Sequence, residues 1–496
     1  MIVKRCDGLP LAAETLGRLL HSEHRVEEWK KILWSDIWEI PVANCKIVPA
    51  LLISYYHLPA HLKRCFIYSS LYPKDHQFDK DELILFWMAE DLLRPPRRGE
   101  TLEEVGCKCF DELASRLFFK EVRDGYVKYF VMHDLMHDLA TFLAGKFYCR
   151  LSELGENEET RILTRHLSCD DPISKQNYSS SKIESLRMFL NTRNQFLNKK
   201  STRKICDMLS KNKYLRVLSF HALGISLDSI AKLIHLRYLD LSLSNFEFLP
   251  QSLLNLCNLQ TLKLSGCYSL TMLPSSLGEL IHLHYLDFSR SAIETLPESL
   301  CKLSYLQTLK LNYCLKLTML PNGMYNLVNL RHLDIRDTPL KEMPKRMGKL
   351  KQLHILSYYI VGKQEDNGIQ ELGGLLNLHD SFAIQKLENV VDVNQARSAR
   401  IIDKKYTDLL LEWCSGDDTV SDIQIERDVL NSLRPHIGLE GLRIKGYRGK
   451  IFPDWLGQYS YNNMTSVSLK SCKNCCVVPS LGQLPSLKYL RSFSSA

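Results

Sequence analysis

The most regular feature of the chain is a leucine pattern, L-x-x-L-x-L, which recurs from Leu215 to about Leu356. Its starts follow one another at intervals of 21 to 24 residues: Leu215, Leu236, Leu259, Leu283, Leu306, Leu330 and Leu353. This spacing predicts a leucine-rich-repeat solenoid, whose stacked parallel strands bury an apolar face that one unit cannot cover alone. Each later unit adds an apolar residue before proline, which we expect to fix the turn toward the convex side: Leu249-Pro250, Leu273-Pro274, Leu296-Pro297, Leu320-Pro321 and Met343-Pro344.

The charged residues within these repeats alternate in sign. One strand position reads, from unit to unit, Asp240, Lys263, Asp287, Lys310 and Asp334. Because neighbouring strands lie about 4.8 Å apart, we expect opposite charges to face one another, each exposed pair contributing at most about 1 kcal/mol. We interpret this stretch as a self-satisfied framework derived from a duplicated two-repeat unit, with ligand specificity mainly in the irregular units beyond it.

Beyond Leu356 the spacing loosens, and apolar clusters predict diverged repeats at 387–390, 410–413, 439–444, 452–456 and 487–490. The acidic insert from Asp417 to Asp428 is expected to be a solvated loop. The last unit ends at Ala496 without a polar cap, and the first helices begin abruptly. We therefore expect a sequence truncated at both ends, since an uncapped solenoid edge exposes apolar surface.

Helical spacing dominates the first 46 residues. Gly8 and Pro10 mark a helix start, because proline is tolerated in the first turn of a helix. The residues spaced for the buried face of this helix are Ala12, Leu16, Leu19 and Leu20. A second helix is predicted around Val26, Trp29 and Leu33, which completes a small helical subdomain.

From residue 47 to 145 the pattern predicts helices at 58–66, 81–90 and 110–117, followed by a hairpin. Its turn is Asp124-Gly125, a dipeptide favoured in tight hairpins, between strands at 118–122 and 126–131. Three helices closed by a hairpin form a winged helix.

The predicted fold class is therefore a multidomain α+β protein, with an α/β horseshoe of repeats after the winged helix. Its predicted domains are a helical subdomain (1–46), a winged helix (47–145), a connector with irregular repeats (146–205), regular repeats (206–360) and diverged repeats (361–496).

Composition agrees with several folded units. With 496 residues and 45% hydrophobic content, the chain can bury two or more sizeable cores. Its 16 cysteines are scattered, and the N-terminus has no secretory apolar segment, so reduced thiols and a cytoplasmic location are expected. No apolar run approaches the roughly 18–20 residues of a membrane-spanning helix, so membrane insertion is not predicted.

A winged helix raises the possibility of DNA binding, and the charges argue against it. The net charge is +8, but 56 acidic residues are interleaved with 64 basic ones. Acidic residues flank the central helices, where they would repel DNA phosphates: Asp79, Asp81, Glu82, Glu90, Asp91, Asp111 and Glu112. The basic cluster 94–98 is interpreted as a solvated loop, so no DNA partner is predicted.

Two histidines are the candidate chemical groups. His133 and His137 lie four residues apart on one expected helical face, superficially like a zinc-protease H-E-x-x-H. That site requires glutamate second and a third ligand beyond the helix, whereas Asp134 is shorter and no later motif supplies the ligand. A plain alternative is two half-buried polar residues on an amphipathic helix. The cysteines of the repeats are expected to be packing thiols and not metal ligands: Cys267, Cys314 and Cys472.

Four segments, in this order along the chain, resemble plant disease-resistance receptors of the nucleotide-binding, leucine-rich-repeat class. They are the stretch Gly8 to Ala12, the stretch 65–90 with Leu71 to Asp75, Val131 to Leu135, and the leucine repeats. The resemblance implies that His133 senses the terminal phosphate of ADP, that Asp134 steadies this motif, and that Pro10 lies against the adenine. The phosphate loop G-x-x-x-x-G-K-[ST] occurs nowhere in the sequence, so no hydrolysis and no cofactor of the chain on its own are expected.

The resemblance further implies the role of the parent receptor. The repeats would recognise a pathogen effector or a guarded host protein, and the winged helix would hold the ADP-bound off state until ATP exchange permits oligomerisation. This chain would retain sensing and restraint, and it would need an upstream nucleotide-binding domain as partner. The alternative function is a repeat scaffold or decoy that binds a protein without any nucleotide switch. Neither function makes the chain an enzyme.

Overall fold

The computed structural model describes residues 2–6, 8–22, 25–39, 48–125, 127–154, 158–169, 183–192, 199–220, 227–414, 423–472, 474–477 and 479–493. The chain divides into two compact units, Met1–Leu241 and Ser242–Ala496.

The first unit begins with four short helices around one apolar cluster. They are α1 (Ile2–Arg5), α2 (Pro10–Ser22), α3 (Val26–Leu33) and α4 (Pro49–Tyr56). The cluster contains Cys6, Ala12, Leu16, Leu19, Ile32, Ala50 and Ile53. The predicted buried face of α2 is confirmed. In α3, Ile32 is fully buried and Leu33 is half-buried, whereas Val26 and Trp29 are 69% and 44% exposed. Two of the three apolar residues that indicated this helix therefore lie outside its buried face.

The predicted winged helix is confirmed. Its elements are α5 (Ala60–Tyr68), α6 (Lys80–Ala89), α7 (Leu102–Ser115), the antiparallel strands β1 (Lys120–Asp124) and β2 (Val127–Val131), and α8 (Asp134–Ala144). Asp79 caps α6, and Thr101 with Glu104 forms a capping box on α7, as these residue types do at helix starts. Gly125 has the positive φ that the hairpin turn requires. Tyr126, predicted to start the second strand, lies outside the described residues.

A parallel sheet in the first unit follows the winged helix. Its strands, each paired with the next, are β3 (Tyr148–Arg150), β4 (His166–Cys169), β5 (Met188–Asn191), β6 (Val217–Ser219) and β7 (Tyr238–Asp240). The helices α9 (Glu158–Leu163), α10 (Lys199–Leu209) and α11 (Leu227–Ile230) lie between them in the chain. Three strands therefore precede Leu215, in a segment where the sequence indicated only irregular repeats.

The second unit contains the regular repeats. Parallel strands β8 (Thr261–Lys263), β9 (Tyr285–Asp287), β10 (Thr308–Lys310), β11 (His332–Asp334) and β12 (Ile355–Leu356) carry the leucine pattern. Leu259, Leu283, Leu306, Leu330 and Leu353 are all fully buried, as predicted. Short 3-10 turns follow the apolar-proline anchors at Gln251–Asn255, Leu277–Glu279, Glu298–Lys302, Asn322–Asn326 and Met347–Lys349.

The diverged repeats form a six-stranded parallel sheet in the same unit. Its strands are β13 (Tyr358–Ile360), β14 (His379–Gln385), β15 (Lys405–Glu412), β16 (Gly441–Lys445), β17 (Ser466–Lys470) and β18 (Tyr489–Phe493), with helices α12 (Val393–Ser398) and α13 (Ile423–Ser432) between them. The prediction of a solvated loop from Asp417 to Asp428 was wrong for its second half. Residues 423–428 begin α13, and buried Glu426 bonds to Arg448 at 3.0 Å; 417–422 lie outside the described residues.

The alternating charge column has the expected register, because Lys310 is paired with both Asp287 and Asp334. Its environment differs from the prediction of exposed pairs. Asp287 and Asp334 are buried, and both bind the chain locally. Asp287 accepts the backbone N–H of Ser289 at 2.8 Å, and Asp334 accepts three hydrogen bonds from Nε and Nη2 of Arg336. Each aspartate is the last residue of its strand and accepts hydrogen bonds from the residue two positions later. These aspartates therefore mainly stabilise the turn that follows the strand.

Candidate functional site

His133 is the residue just before α8, and its side chain caps that helix. The ring is exposed, and its Nδ1 accepts the backbone N–H of Leu135 at 3.2 Å. A neutral ring whose Nδ1 accepts carries its proton on Nε2. The fold therefore places an outward N–H donor at the start of an eleven-residue helix, where backbone N–H groups and the helix dipole also favour negative charge.

His137 has a different environment, so the plain alternative of two half-buried histidines on one amphipathic helix was wrong. His137 is 3% exposed, and its Nε2 lies 2.8 Å from the carbonyl oxygen of Tyr72. In addition, Lys74 bonds to Asp138 at 2.7 Å. Because both contacts join α8 to the 72–74 turn, His137 holds the helix in place and His133 remains accessible at its end.

The other predicted site residues are both exposed. Pro10 is the first residue of α2, and Asp134 is the first residue of α8. Helix α4 packs against α2 and also against α8. Arg18 of α2 donates to the carbonyl oxygen of Ser115 in α7 at 2.6 Å. The first helices are thus joined to the winged helix in one unit, on whose surface Pro10, His133 and Asp134 lie.

His76, which is half-buried, and His137, which is buried, predict a pH dependence of stability near this site. Burial lowers the pKa of His76 to about 4, and burial also lowers the pKa of His137. An unfolded histidine takes up a proton near pH 6.5, while the folded chain resists protonation. The free energy of unfolding should therefore be highest above pH 6.5 and fall as the pH drops toward about 4.

Urea unfolding midpoints at pH 7 and pH 5 check this expectation. The variant His76→Phe retains ring contacts with Tyr72 and Phe78, whose centroids lie 4.4 and 4.8 Å away. It should lose part of the pH-dependent drop that the wild-type chain shows. An unchanged drop in the variant would show that His76 is not a source of it.

The sequence pattern did not indicate the contact between the winged helix and the first strands of the sheet. Fully buried Tyr68 donates its hydroxyl to Met188 Sδ at 2.8 Å. Glu90 and His166, both buried, bond at 3.3 Å. The carboxylate of Asp91 binds Arg216 at 3.0 Å and also Arg237. Glu90 and Asp91 are two of the acidic residues that argued against DNA binding. In the structure they bind basic residues of the sheet that follows the winged helix.

The structure provides no metal-binding group among the residues it describes. The cysteines in that part of the chain are all free, and Cys267 and Cys314 are fully buried, as predicted for packing thiols. Cys472 is only partly buried. None of the described helices is long and apolar enough to cross a membrane.

Three family models match parts of the chain. Residues 71–140 match the disease resistance protein winged helix domain. Residues 193–280 match a leucine-rich repeat region, and residues 369–494 match the R13L1/DRL21 leucine-rich repeats. The winged helix model includes the 72–74 turn, the hairpin of β1 and β2, and the start of α8, where His133 lies.

The relatives resemble the chain over nearly all of its length. It is 38% identical over 505 residues to the putative disease resistance RPP13-like protein 1 of Arabidopsis thaliana, covering 99% of this chain and 43% of that relative. It is 38% identical over 496 residues to the putative disease resistance protein RGA1 of Solanum bulbocastanum, covering 99% and 42%. The chain therefore spans less than half the length of these relatives, whose names state disease resistance and no enzymatic activity.

Solved structures of leucine-rich-repeat proteins are also similar to part of the chain. A leucine-rich-repeat protein of Leptospira interrogans has a TM-score of 0.47 and 18% identity, covering 70% of this chain and 88% of that chain.

Proposed function

The chain belongs to the plant disease-resistance proteins, and on this premise we propose that it carries the sensing and restraining parts of an immune receptor. The leucine-rich repeats recognise a pathogen effector or a guarded host protein. The winged helix contributes His133 to a nucleotide switch in which ADP, held by an upstream domain, keeps the receptor off. Exchange for ATP then permits oligomerisation. We place this function in the cytoplasm.

The observation that carries the proposal is the geometry of His133. Its Nδ1 accepts the Leu135 N–H, so the exposed ring can donate to a partner through Nε2–H. A phosphate oxygen is a suitable acceptor, because hydrogen bonds to charged groups are stronger than neutral ones. Pro10 and Asp134 are exposed as well, as contacts with an adenine and with the motif require.

The repeats of the second unit support the recognition role. Large apolar side chains are exposed there: Phe248, Tyr268, Met272, Leu315 and Met319, between 58% and 71%. Phe248 and Met272 lie side by side as paired positions of neighbouring repeats. Neighbouring exposed apolar side chains such as Phe248 and Met272 are typical of protein-binding surfaces, and aromatic residues supply much of the energy of such interfaces.

Calorimetry with ADP tests the switch. The chain alone should bind ADP weakly at this site, because its sequence contains no phosphate loop. With the upstream nucleotide-binding domain of a relative supplied in trans, affinity should rise, and His133→Ala should weaken it roughly tenfold by removing one charge-assisted hydrogen bond.

His379→Ala is the matched control, since His379 is an exposed histidine of the second unit and should leave ADP affinity unchanged. Equal affinity of wild type and His133→Ala in the presence of the upstream domain would contradict the role of His133. If that domain adds no binding at all, the nucleotide-independent scaffold or decoy becomes the better function.

A further inference from the structure

Three neighbouring strands of the second unit carry a positively charged surface, here called the basic face. It consists of four exposed cationic residues: Arg443 and Lys445 of β16, Lys470 of β17 and Arg491 of β18. In β16 the cations alternate with Leu442 and Ile444, which are buried. Because successive side chains of a strand point to opposite sides, the basic face lies on the side of the sheet away from its core.

The register of the strands brings these cations together. Lys445 is paired with Lys470, and Ser468 is paired with Arg443 on one side and with Arg491 on the other. Neighbouring strands lie about 4.8 Å apart, and like charges directly opposite in a sheet are destabilising. The arrangement therefore favours a negatively charged partner.

The sheet itself neutralises little of this charge. The strands β16, β17 and β18 contain no acidic residue. On the neighbouring strand β15, Glu412 bonds to Lys445 at 2.6 Å. The side chains of Arg443, Lys470 and Arg491 form no hydrogen bond or ion pair within the described part of the chain. Three of the four cations can therefore bind a partner without first breaking a contact there.

Small residues separate the cations. Gly441, Ser466 and Ser468 occupy the remaining positions of β16 and β17 on this side of the sheet. Their short side chains allow the backbone of a partner to approach closely. Tyr489 of β18 is in register with Ser466 and is 65% exposed. Tyrosine and arginine are enriched among the residues that contribute most to protein interfaces, so this composition suits a protein partner.

The regular repeats of the same unit provide an internal comparison. In three successive strands they carry Asp287, Lys310 and Asp334 in register, so opposite charges face one another. The packing of parallel strands in this chain therefore does not require like charges in register. The basic face needs another explanation.

We propose that the basic face binds an acidic, extended segment of a protein, an inference that rests on the proposed recognition function of the repeats. Carboxylates match guanidinium groups with two parallel hydrogen bonds. In an extended segment, alternate side chains lie on one side at a spacing of about 6.6 Å. Arg443 and Lys445 are themselves two residues apart in a strand and have the same spacing. Acidic residues at alternate positions therefore fit this surface.

Carboxylates beside the basic face favour a polypeptide over a nucleic acid. Asp408 and Glu412 of β15 are in register with Gly441 and Lys445. A nucleic acid carries a phosphate at every nucleotide, so these carboxylates would repel part of its backbone. An acidic polypeptide can place neutral residues opposite Asp408 and Glu412 and carboxylates opposite the cations.

Titration of the full chain with a fluorescent peptide of six glutamate-serine repeats tests this surface. Fluorescence anisotropy should show saturable binding that weakens as the salt concentration rises, because salt screens exposed charges. A glutamine-serine peptide of the same length should not bind saturably. The double variant Arg443→Gln, Lys470→Gln should reduce the affinity for the acidic peptide about tenfold or more.

The matched control is the double variant Arg397→Gln, Lys363→Gln. Both residues are exposed and lie outside the basic face, and their replacement removes the same two positive charges. This control should bind the acidic peptide like the wild-type chain. Thermal unfolding of both double variants should match that of the wild type, because surface substitutions change stability little. Equal affinities of the two double variants, or no saturable binding by the wild type, overturns the proposal.

A single-stranded oligothymidine of twelve nucleotides provides the comparison with a nucleic acid. Tighter binding of this probe than of the acidic peptide, lost in Arg443→Gln, Lys470→Gln, overturns the assignment to a polypeptide, and weaker binding supports it. The titrations use neither ADP nor an upstream domain, so failure of the switch at His133 leaves their result unchanged. If the acidic peptide fails to bind, the recognition role rests on Phe248 and Met272, which lie outside the basic face.

Discussion

Replacing Tyr68 by alanine should destabilise the first unit by about 3–5 kcal/mol, the range for removing a large buried aromatic side chain. Tyr68 is fully buried, and its hydroxyl bonds to Met188. Its ring packs near those of Phe86, Tyr148 and His166, at centroid distances of 6.1 to 6.5 Å. The variant therefore opens a cavity between the winged helix and the first parallel strands.

Hydrogen exchange localises this effect, since a chain of two units need not unfold in one step. Backbone amides of β3, β4 and β5 should lose protection in Tyr68→Ala. The control Tyr56→Ala removes a tyrosine that is 51% exposed, and it should change stability by less than about 0.5 kcal/mol. Equal loss of protection in the two variants would show that Tyr68 does not join the winged helix to the sheet.

Replacing Gly278 by alanine should destabilise the regular repeats by about 3 kcal/mol, the upper part of the range for overpacking. Gly278 lies in the 3-10 turn Leu277–Glu279. A Cβ atom there would overlap the backbone carbonyl of Ser299, in the turn of the next repeat. Because the obstructing atom belongs to the backbone, relief requires the two turns to move apart.

Gly482→Ala is the matched control for this substitution. Gly482 lies in the turn Leu481–Gln483, with the same leucine-glycine order, and no heavy atom of the described residues lies within 4 Å of its Cβ position. Its substitution should be nearly neutral in thermal unfolding, and Gly278→Ala should lower the melting temperature of the second unit by several degrees. Similar melting temperatures for the two variants would contradict the proposed crowding.

Local patterns in the sequence determined most of the architecture. The leucine spacing predicted the repeats, and Leu283, Leu306 and Leu330 are fully buried. Helical periodicity and the turn at Asp124-Gly125 predicted the winged helix. These predictions hold because backbone geometry sets the spacing of side chains on one face of a helix or strand within a few residues. In the repeats, the same spacing occurs many times, which makes the pattern easier to recognise.

Tertiary structure decided what each similar residue does. His133 and His137 lie in one motif, yet one caps a helix at the surface and the other is buried against Tyr72. Gly278 and Gly482 share a sequence context, and only the first meets a neighbouring backbone. The burial of a side chain and its contact with a neighbouring backbone depend on segments distant in sequence. The spacing of apolar residues along the chain therefore does not predict them.

Four arginines of the first unit, each directly before one of the strands β4 to β7, show the same difference between sequence and tertiary structure. Arg165, Arg187 and Arg216 are separated by irregular intervals of 22 and 29 residues, which hide them from any repeat pattern. Parallel strand pairing brings them into register, and Asp91, more than a hundred residues earlier than Arg216, neutralises one end. The sequence by itself determined which elements form, whereas the tertiary structure decided which charges meet, because hydrogen bonds between strands and not chain spacing set their distances.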